Sequence, residues 1–425
     1  MNIPFAPPFI DQSVIDEVVD TLNSKWITTG PKVLALQNHV KEITSCRAAL
    51  CVNSWTSGAI LMLKWYGIQA GDEVIIPAYS YCATALCVLH CGATPVMVDI
   101  NDDFNISISA IADAITNKTK AIIAVDIAGW PSDYIQLMKL IKSPSIIAKF
   151  SPTSGNQFKL GRILLIADAA HSLGAKIDNA PAAVKSDVAI FSFHAVKNIT
   201  TAEGGCICLN LPQLFDIEKE YAHLKMYTLN GQNKDALAKS NGHGWKYDIL
   251  FQGMKINMPD ICAAIGIAQI KKYNTELLPE RKIIARTYQR AFLPHPWFIP
   301  APLFNGRRES SYHLYPLRIK NITEAQRDQI IDQITQKGIA VNVHFIPMPM
   351  LTLFKNLGFN IRNFPMAYKQ YACEISLPIY PGLTEAEIAF IISTVIESVE
   401  AVRTKQLPFV NIERTALFVQ KQTQP

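Results

Sequence analysis

The sequence predicts an α/β fold, with a large, mixed and mostly parallel sheet domain followed by a smaller α+β C-terminal domain. Three observations predict it. Short apolar runs bounded by Gly, Pro or Asp, at Val74–Ile76, Pro95–Val98 and Ala121–Val125, alternate with helical patterns, as parallel α/β units require. With 425 residues, 49% of them hydrophobic, the chain can bury a large core and should divide into a larger and a smaller unit. Prolines at 294, 296, 300 and 302 mark a connection, so the expected division is 1–293, including an N-terminal segment, and 294–425.

In chain order, an amphipathic pattern begins near Asp11 and a loop around Trp26 follows. Ile163–Ala167 reads as a buried strand that carries Asp168 at its C-terminal end, where ligands of open α/β sheets gather. Asp187–Phe191 and Cys206–Leu209 are two further strand patterns, separated by the run from Ser192 to Gly205. A long helical pattern from Pro259 to about Phe292 closes the large domain, and Pro259 suits its first turn, where a missing N–H costs nothing. His313–Ile319, a helical stretch near Glu324–Gln336, and Ile339–His344 then supply the elements of the small domain. No internal repeat or low-complexity tract interrupts this order.

Charge and cysteine usage exclude several classes. The formal net charge is +5 and is spread along the chain, which argues against a nucleic-acid binder and would not hinder an anionic substrate. The nine cysteines, at 46, 51, 82, 87, 91, 206, 208, 262 and 373, form no CxxC pair and no His/Cys ligand spacing. They are expected to be buried thiols, with no metal site. The N-terminus lacks a basic region followed by an apolar run, and no segment is apolar for the length of a membrane span. A cytoplasmic protein with no membrane partner is the expectation.

Three elements carry chemistry. Lys197 lies on the connection between two strands, where lost hydration disfavours the ammonium and leaves an amine able to attack a carbonyl. Asp168 supplies a carboxylate at a strand end. Val52–Ile60 runs from a strand through Asn53, Ser54, Thr56 and Ser57 into a helical pattern, a junction whose free N–H groups and hydroxyls suit a phosphate. Each has an ordinary alternative: a solvated surface lysine, a helix N-cap, and a plain helix start. A Schiff-base lysine and an acid facing a pyridinium nitrogen are nonetheless the two protein groups that pyridoxal phosphate requires.

With these runs, together with Trp26–Pro31, Gly71–Pro77 and Asn257–Asp260, most of the chain resembles the DegT/StrS-type nucleotide-sugar aminotransferases. The resemblance implies the fold-type I architecture of enzymes that depend on pyridoxal 5′-phosphate. It implies that Lys197 binds the cofactor and shuttles the proton, and that Asp168 partners the ring nitrogen. It further implies phosphate contacts from Thr56, in the turn that includes Trp55, from Ser192, and from Asn257 across a homodimer with shared active sites. Tyr81 takes the position that stacks on the cofactor ring, and His171 stands where many members have glutamine near its phenolic oxygen. Thr28, His313 and His344 fall on the substrate side. The implied reaction moves an amino group from an amino acid, L-glutamate by resemblance, to a nucleotide-linked keto sugar for surface polysaccharide or glycolipid synthesis. The Trp26 and Lys197 runs resemble both enzymes that aminate UDP-4-keto-pentose toward 4-amino-4-deoxy-L-arabinose and aminases of UDP-linked 4-keto-hexoses, so the sugar stays open.

Departures and alternatives accompany this reading. Trp55 replaces a small residue in the phosphate turn. The stretch 142–157 is longer than the family's usual connection and reads as a surface insertion, and the tail after Val402 is a second extension. His194 is expected to be structural rather than a base, Glu203 to fix a loop, and Gly204–Gly205 to permit close backbone approach. Sugar dehydratases of the same fold replace the lysine by histidine, whereas this chain keeps Lys197. A non-catalytic relative would be expected to lose the lysine or the acid, and neither is lost.

Overall fold

Strand-forming runs rich in Val, Ile, Ala and Cys recur along the first half of the chain, and each is joined to the next through a helix. In the computed structural model, which describes residues 1–235 and 245–404, they are β1 (Ala48–Val52), β2 (Glu73–Pro77), β3 (Thr94–Val98), β4 (Thr119–Val125) and β5 (Leu164–Asp168). The two-residue strands β6 (Lys176–Ile177) and β7 (Ala180–Pro181) follow, then β8 (Val188–Ser192) and β9 (Gly205–Leu209). The main sheet has the order β1-β9-β8-β5-β4-β2-β3. Neighbours from β8 to β3 run parallel, and β9 is antiparallel to both β1 and β8. Helices cover both faces, which is why β1, β4, β5 and β9 are buried at every residue and read as unbroken apolar runs.

Each face has its own core. One packs the helices Trp55–Trp65 and Ala83–His90 on the sheet, and the other packs Pro31–Thr44, Tyr134–Ile141 and Asp260–Lys272. A third cluster joins the helix Leu278–Phe292 to the C-terminal elements, where β10 (Phe298–Ile299), β12 (Tyr315–Ile319) and β13 (Glu374–Leu377) form a small antiparallel sheet. The helices Glu324–Gln336 and Glu385–Thr404 pack in this cluster, giving the smaller α+β domain. Arg308–Glu309 (β11) pairs with β6.

The structure corrects several local expectations. The pattern from Pro259 to Phe292 is two helices, Asp260–Lys272 and Leu278–Phe292, joined by a π-helical turn at Tyr273–Leu277. Pro279 has no N–H to continue an α-helical ladder there. Pro259 stands one residue before the helix instead of in its first turn. Ile339–His344 forms no strand; Ile339 bridges to Ile3 and Asn342 to Ser376, so the N-terminal residues take a place beside the small domain. The 142–157 stretch holds two short helices, Pro144–Ile147 and Gly155–Leu160, and is more than a surface insertion. Gln157 is buried and donates to Tyr66 O, Ser154 Oγ donates to Tyr66 O, and Asn156 donates to Trp65 O. Together they satisfy carbonyls at the C-terminal end of the helix Trp55–Trp65, which would otherwise lack partners. Six cysteines are buried, while Cys82, Cys91 and Cys262 are half-buried. The tail expected after Val402 lies outside the described residues from 405 onward. Among the described residues no helix is long and apolar enough to cross a membrane.

Candidate active site

The C-terminal ends of β1, β4, β5 and β8 open on one cavity of ≈ 470 Å³, the position where parallel sheets gather ligands. Asp168 ends β5 and is buried in its floor. Thr84, in the first turn of the helix Ala83–His90, donates to Asp168 Oδ2 at 2.9 Å, and Ala170 N–H donates to Oδ1 at 3.3 Å. Burial pushes the carboxyl up to about 7 against these two donors and the nearby Lys197 charge. Asp126, beyond β4, braces the same loop: Ser172 Oγ and Tyr134 OH each donate to it at 2.6 Å.

Lys197 faces this floor from the loop between β8 and β9, where its N–H donates to His194 O at 2.9 Å and closes a tight turn. The side chain as a whole is only half-buried. Its amine nevertheless sits at the enclosed end, and burial lowers it to about 8 against the attraction of Asp168. A buried acid near 7 and a buried amine near 8 are both poised to change charge near neutrality.

The turn expected to hold a phosphate is formed by Ser54, Trp55 and Thr56, all lining the cavity. Ser54 caps the helix Trp55–Trp65, accepting from Ser57 N–H at 3.1 Å. Its first-turn N–H groups, with the positive end of the helix dipole, favour an anion. Gly205 explains how the turn closes: a Cβ there would lie 2.8 Å from both Trp55 N and Phe191 O, so β9 can pass beneath the turn only without a side chain. Trp55 itself is buried, and its indole N–H has no acceptor among the described residues.

Three imidazoles complete the cavity, all held neutral by burial and by the Lys197 charge. His171 Nδ1 accepts from Ala128 N–H at 3.3 Å, which leaves Nε2 as its N–H. The Asn198 amide donates to Tyr273 OH and Ser311 O, so its oxygen must accept from His313 Nδ1, 2.8 Å away. His313 therefore keeps a lone pair on Nε2. The rings of His171 and His313 lie 4.4 Å apart. His344 sits opposite, with Phe5 from the N-terminal segment stacked on its face at 5.5 Å. Tyr81 and Ser192 line the rim, as does exposed His194, 3.6 Å from Glu203.

The structure thus brings together Trp55, Thr56, Tyr81, Asp168, His171, Ser192, Lys197, His313 and His344. It does not bring Thr28 or Asn257 there. Asn257 donates to Thr29 Oγ1 at 2.6 Å and accepts from Lys255 Nζ at 2.7 Å, beside a separate depression. Its amide is engaged within the chain, where the sequence suggests that it points outward. Thr28 O accepts from Asp260 N–H. Sequence reasoning missed Thr84, Asn198 and Phe5, each of which acts through a partner remote in sequence and has no local signature.

A model of the DegT/DnrJ/EryC1/StrS aminotransferase family matches residues 8–148 and 159–396. The chain belongs to that family. The gap in the match, 149–158, overlaps the 142–157 stretch and includes the residues that cap the helix Trp55–Trp65. Among solved structures, the PMP-form of Spr1654 from Streptococcus pneumoniae, assigned as a sugar aminotransferase, is 41% identical, covers 94% of this chain and 100% of its own, and superposes with a TM-score of 0.90. A PLP-form of the same protein superposes at 0.89. Helicobacter pylori PseC, an aminotransferase involved in the biosynthesis of pseudoaminic acid, is 28% identical over 94% of this chain and 100% of its own, with a TM-score of 0.82. The spore coat polysaccharide biosynthesis protein SpsC of Bacillus subtilis is 30% identical over 92% of this chain and 96% of its own.

Proposed function

We propose that this chain is an aminotransferase that moves an amino group from an amino acid, L-glutamate, to a nucleotide-linked 4-keto sugar on the way to a surface polysaccharide or glycolipid. Its cofactor is pyridoxal 5′-phosphate. The observation that carries the reading is the facing pair of Lys197 and Asp168 in one cavity, with a capped helix N-terminus beside them. The likeness to Spr1654, PseC and SpsC supports the sugar as acceptor.

The residues present fit the cofactor. Asp168 is a buried carboxylate with two N–H or O–H donors and, among the described residues, no cation hydrogen-bonded to it, so a protonated ring nitrogen would restore its ionisation. The Ser54–Thr56 turn and Ser192 suit a phosphate, and the buried Trp55 indole N–H lacks an acceptor among the described residues. When bound, pyridoxal phosphate supplies a carbonyl that exchanges amines and a ring that accepts electrons.

The chain's own groups do the rest. Lys197, lowered to about 8, holds or releases a proton at Nζ near neutral pH and so serves as the shuttle in both halves of the reaction. Asp168 holds a proton on its partner by charge. His171 offers an N–H, and Tyr81 a ring face. We place His313 and His344 on the substrate side, brought there by a small domain that begins at 294, while Thr28 and the partner subunit's Asn257 complete the site across a cytoplasmic homodimer. Turnover measured with glutamate against UDP-, dTDP- and GDP-linked 4-keto sugars, UDP-4-keto-pentose and UDP-4-keto-hexoses included, tests the reading. Absence of turnover on the whole panel, in protein that carries cofactor, would overturn the sugar assignment.

A further inference from the structure

Behind His344, on the side away from the cavity, a hydrogen-bonded chain runs into the small domain and ends on a carboxylate that the transamination mechanism does not use. Glu374, the first residue of β13, is fully buried. Its Oε2 accepts the His344 backbone N–H at 3.0 Å, and its Oε1 accepts from Ser376 Oγ. Ser376 Oγ in turn lies 2.9 Å from His344 Nδ1. With Nδ1 engaged and Phe5 stacked on the ring face, Nε2 is the nitrogen left to meet a ligand in the cavity.

We propose that Glu374 and Ser376 are positioning residues that decide, through this one chain of hydrogen bonds, whether His344 presents a lone pair or an N–H to the substrate. A serine hydroxyl has a single hydrogen, so it can donate to only one neighbour at a time. When Glu374 is ionised, Ser376 donates to Oε1 and can only accept from the imidazole; His344 then carries its hydrogen on Nδ1 and shows the cavity a bare Nε2. When Glu374 is protonated, the backbone N–H on Oε2 confines the proton to Oε1, which donates to Ser376. Ser376 now donates to Nδ1, and His344 shows the cavity an N–H at Nε2.

The two states interconvert with balanced protons. A proton accepted at Nε2 is matched by the Nδ1 proton passing to Ser376 Oγ and the hydroxyl proton passing to Glu374 Oε1. The net result is one proton moved from the cavity to the carboxylate, with the ring neutral at both ends of the relay. This matters because burial and the Lys197 charge push His344 down to about 4, so the imidazolium is a poor place to keep a proton at neutral pH. Burial meanwhile pushes Glu374 up to about 8, against the Ser376 and His344 N–H donors. The charged and titratable groups around Glu374 are Arg327 from the helix Glu324–Gln336, Arg318 from β12, Cys373 before it, and Tyr79, whose hydroxyl donates to His344 O at 2.7 Å. Around His344 they are Lys197, His171 and His313. The relay rests on the aminotransferase reading only in giving Nε2 a sugar or amino-acid substrate to face; its wiring is internal to the protein.

The test reads the ring directly. In holoenzyme labelled with ¹⁵N-histidine, long-range ¹H–¹⁵N spectra distinguish the two tautomers, and the His344 signals are assigned by their loss in His344→Asn. The wild type is expected to pass from almost entirely Nε2–H well below pH 8 to almost entirely Nδ1–H well above it. In Glu374→Gln, the amide oxygen takes the His344 backbone N–H and its NH₂ donates to Ser376, so His344 should stay Nε2–H throughout. Ser376→Ala should abolish the pH-dependent exchange, and Ser376→Thr should retain it. A single His344 tautomer across the wild-type titration would overturn the relay, whether or not the variants fold, and so would an unchanged transition in folded Glu374→Gln. A normal tautomer transition in protein that turns over none of the keto sugars would instead overturn the substrate reading and leave the relay standing.

Discussion

The two walls of the cavity handle charge in opposite ways. On the large-domain wall, Asp168 and Lys197 are brought from opposite directions toward neutrality, to about 7 and about 8, so each can change charge under ordinary conditions. On the opposite wall, burial keeps His313 and His344 neutral, and each imidazole is fixed through Nδ1 to a neighbour, Asn198 or Ser376. The difference teaches that burial can bring one pair of groups to the edge of changing charge and hold another pair neutral, with their hydrogens set by a hydrogen-bonded neighbour. Substitutions on the first wall should therefore be far more damaging than losses of a single hydrogen bond around it.

Lys197→Ala should break the first wall most completely. Turnover should fall by ~10⁴-fold or more, since a positioned acid–base group is worth about 10²–10⁴ alone and the cofactor attachment is lost with it. The check is steady-state transamination together with loss of the visible absorbance of lysine-linked cofactor; wild-type turnover in this variant would show that the lysine lies elsewhere. Asp168→Asn keeps the shape and removes the charge, and should cost about 10²–10³-fold in kcat, the scale of losing one preorganised electrostatic partner. Folding, followed by circular dichroism, should be largely retained.

The shared site can be tested without touching the walls. Random dimers of inactive Lys197→Ala and inactive Asn257→Ala should recover about one quarter of wild-type activity, because half are heterodimers and each heterodimer has one intact composite site. Demonstrated subunit exchange with no recovered activity would mean that the Asn257 depression does not serve the partner's cavity.

A smaller effect separates the walls by pH. The raised Asp168 binds its proton more tightly in the folded apoprotein than in the unfolded chain, so its contribution to stability is full below the unfolded value of 3.8 and is lost as pH rises through about 7. The stability difference between wild-type and Asp168→Asn apoprotein, followed by thermal melting, should shrink across that window by at most about 1.4 kcal/mol per pH unit. Asp126 and Glu374, also raised, act in the same direction, and the lowered His171, His313 and His344 act in the opposite one, so the comparison with Asp168→Asn is what isolates this group. Among the single substitutions the smallest effect is expected of Thr84→Val, which deletes one donor to Asp168. One hydrogen bond to a charged group is worth about 1.5–3 kcal/mol, so kcat should drop by roughly 10- to 100-fold. A loss as large as that of Asp168→Asn would mean that Thr84 does more than hold the acid.

Much of this was legible in the chain. The alternation of apolar runs and helical patterns predicts the main sheet because fully covered parallel strands must be apolar on both faces. Lys197 and Asp168 could be located because each follows a strand pattern at its end, and topology sends such ends to one place. The Ile339–His344 run misled, since only Ile339 and Asn342 pair there, as isolated bridges to Ile3 and to Ser376 of β13, and no strand forms. Thr84, Asn198 and Ser376 were illegible as residues around the cavity, because a small polar side chain in a helix, loop or strand looks the same whether it meets solvent or a buried carboxylate or imidazole.

The sequence by itself determined the order of the elements, the strand ends near the amine and the acid, and the glycine at 205 that lets β9 pass under the Ser54–Thr56 turn. These depend on periodicity, backbone freedom and chain order, which are local quantities. Only the tertiary structure decided the protonation character of the cavity: how far burial moves Asp168 and Lys197, which nitrogen of His171 and His313 bears hydrogen, and that Glu374 lies two bonded partners behind His344. Desolvation and hydrogen-bond direction depend on what surrounds a group in three dimensions, and those neighbours lie from 30 to 115 residues away along the chain.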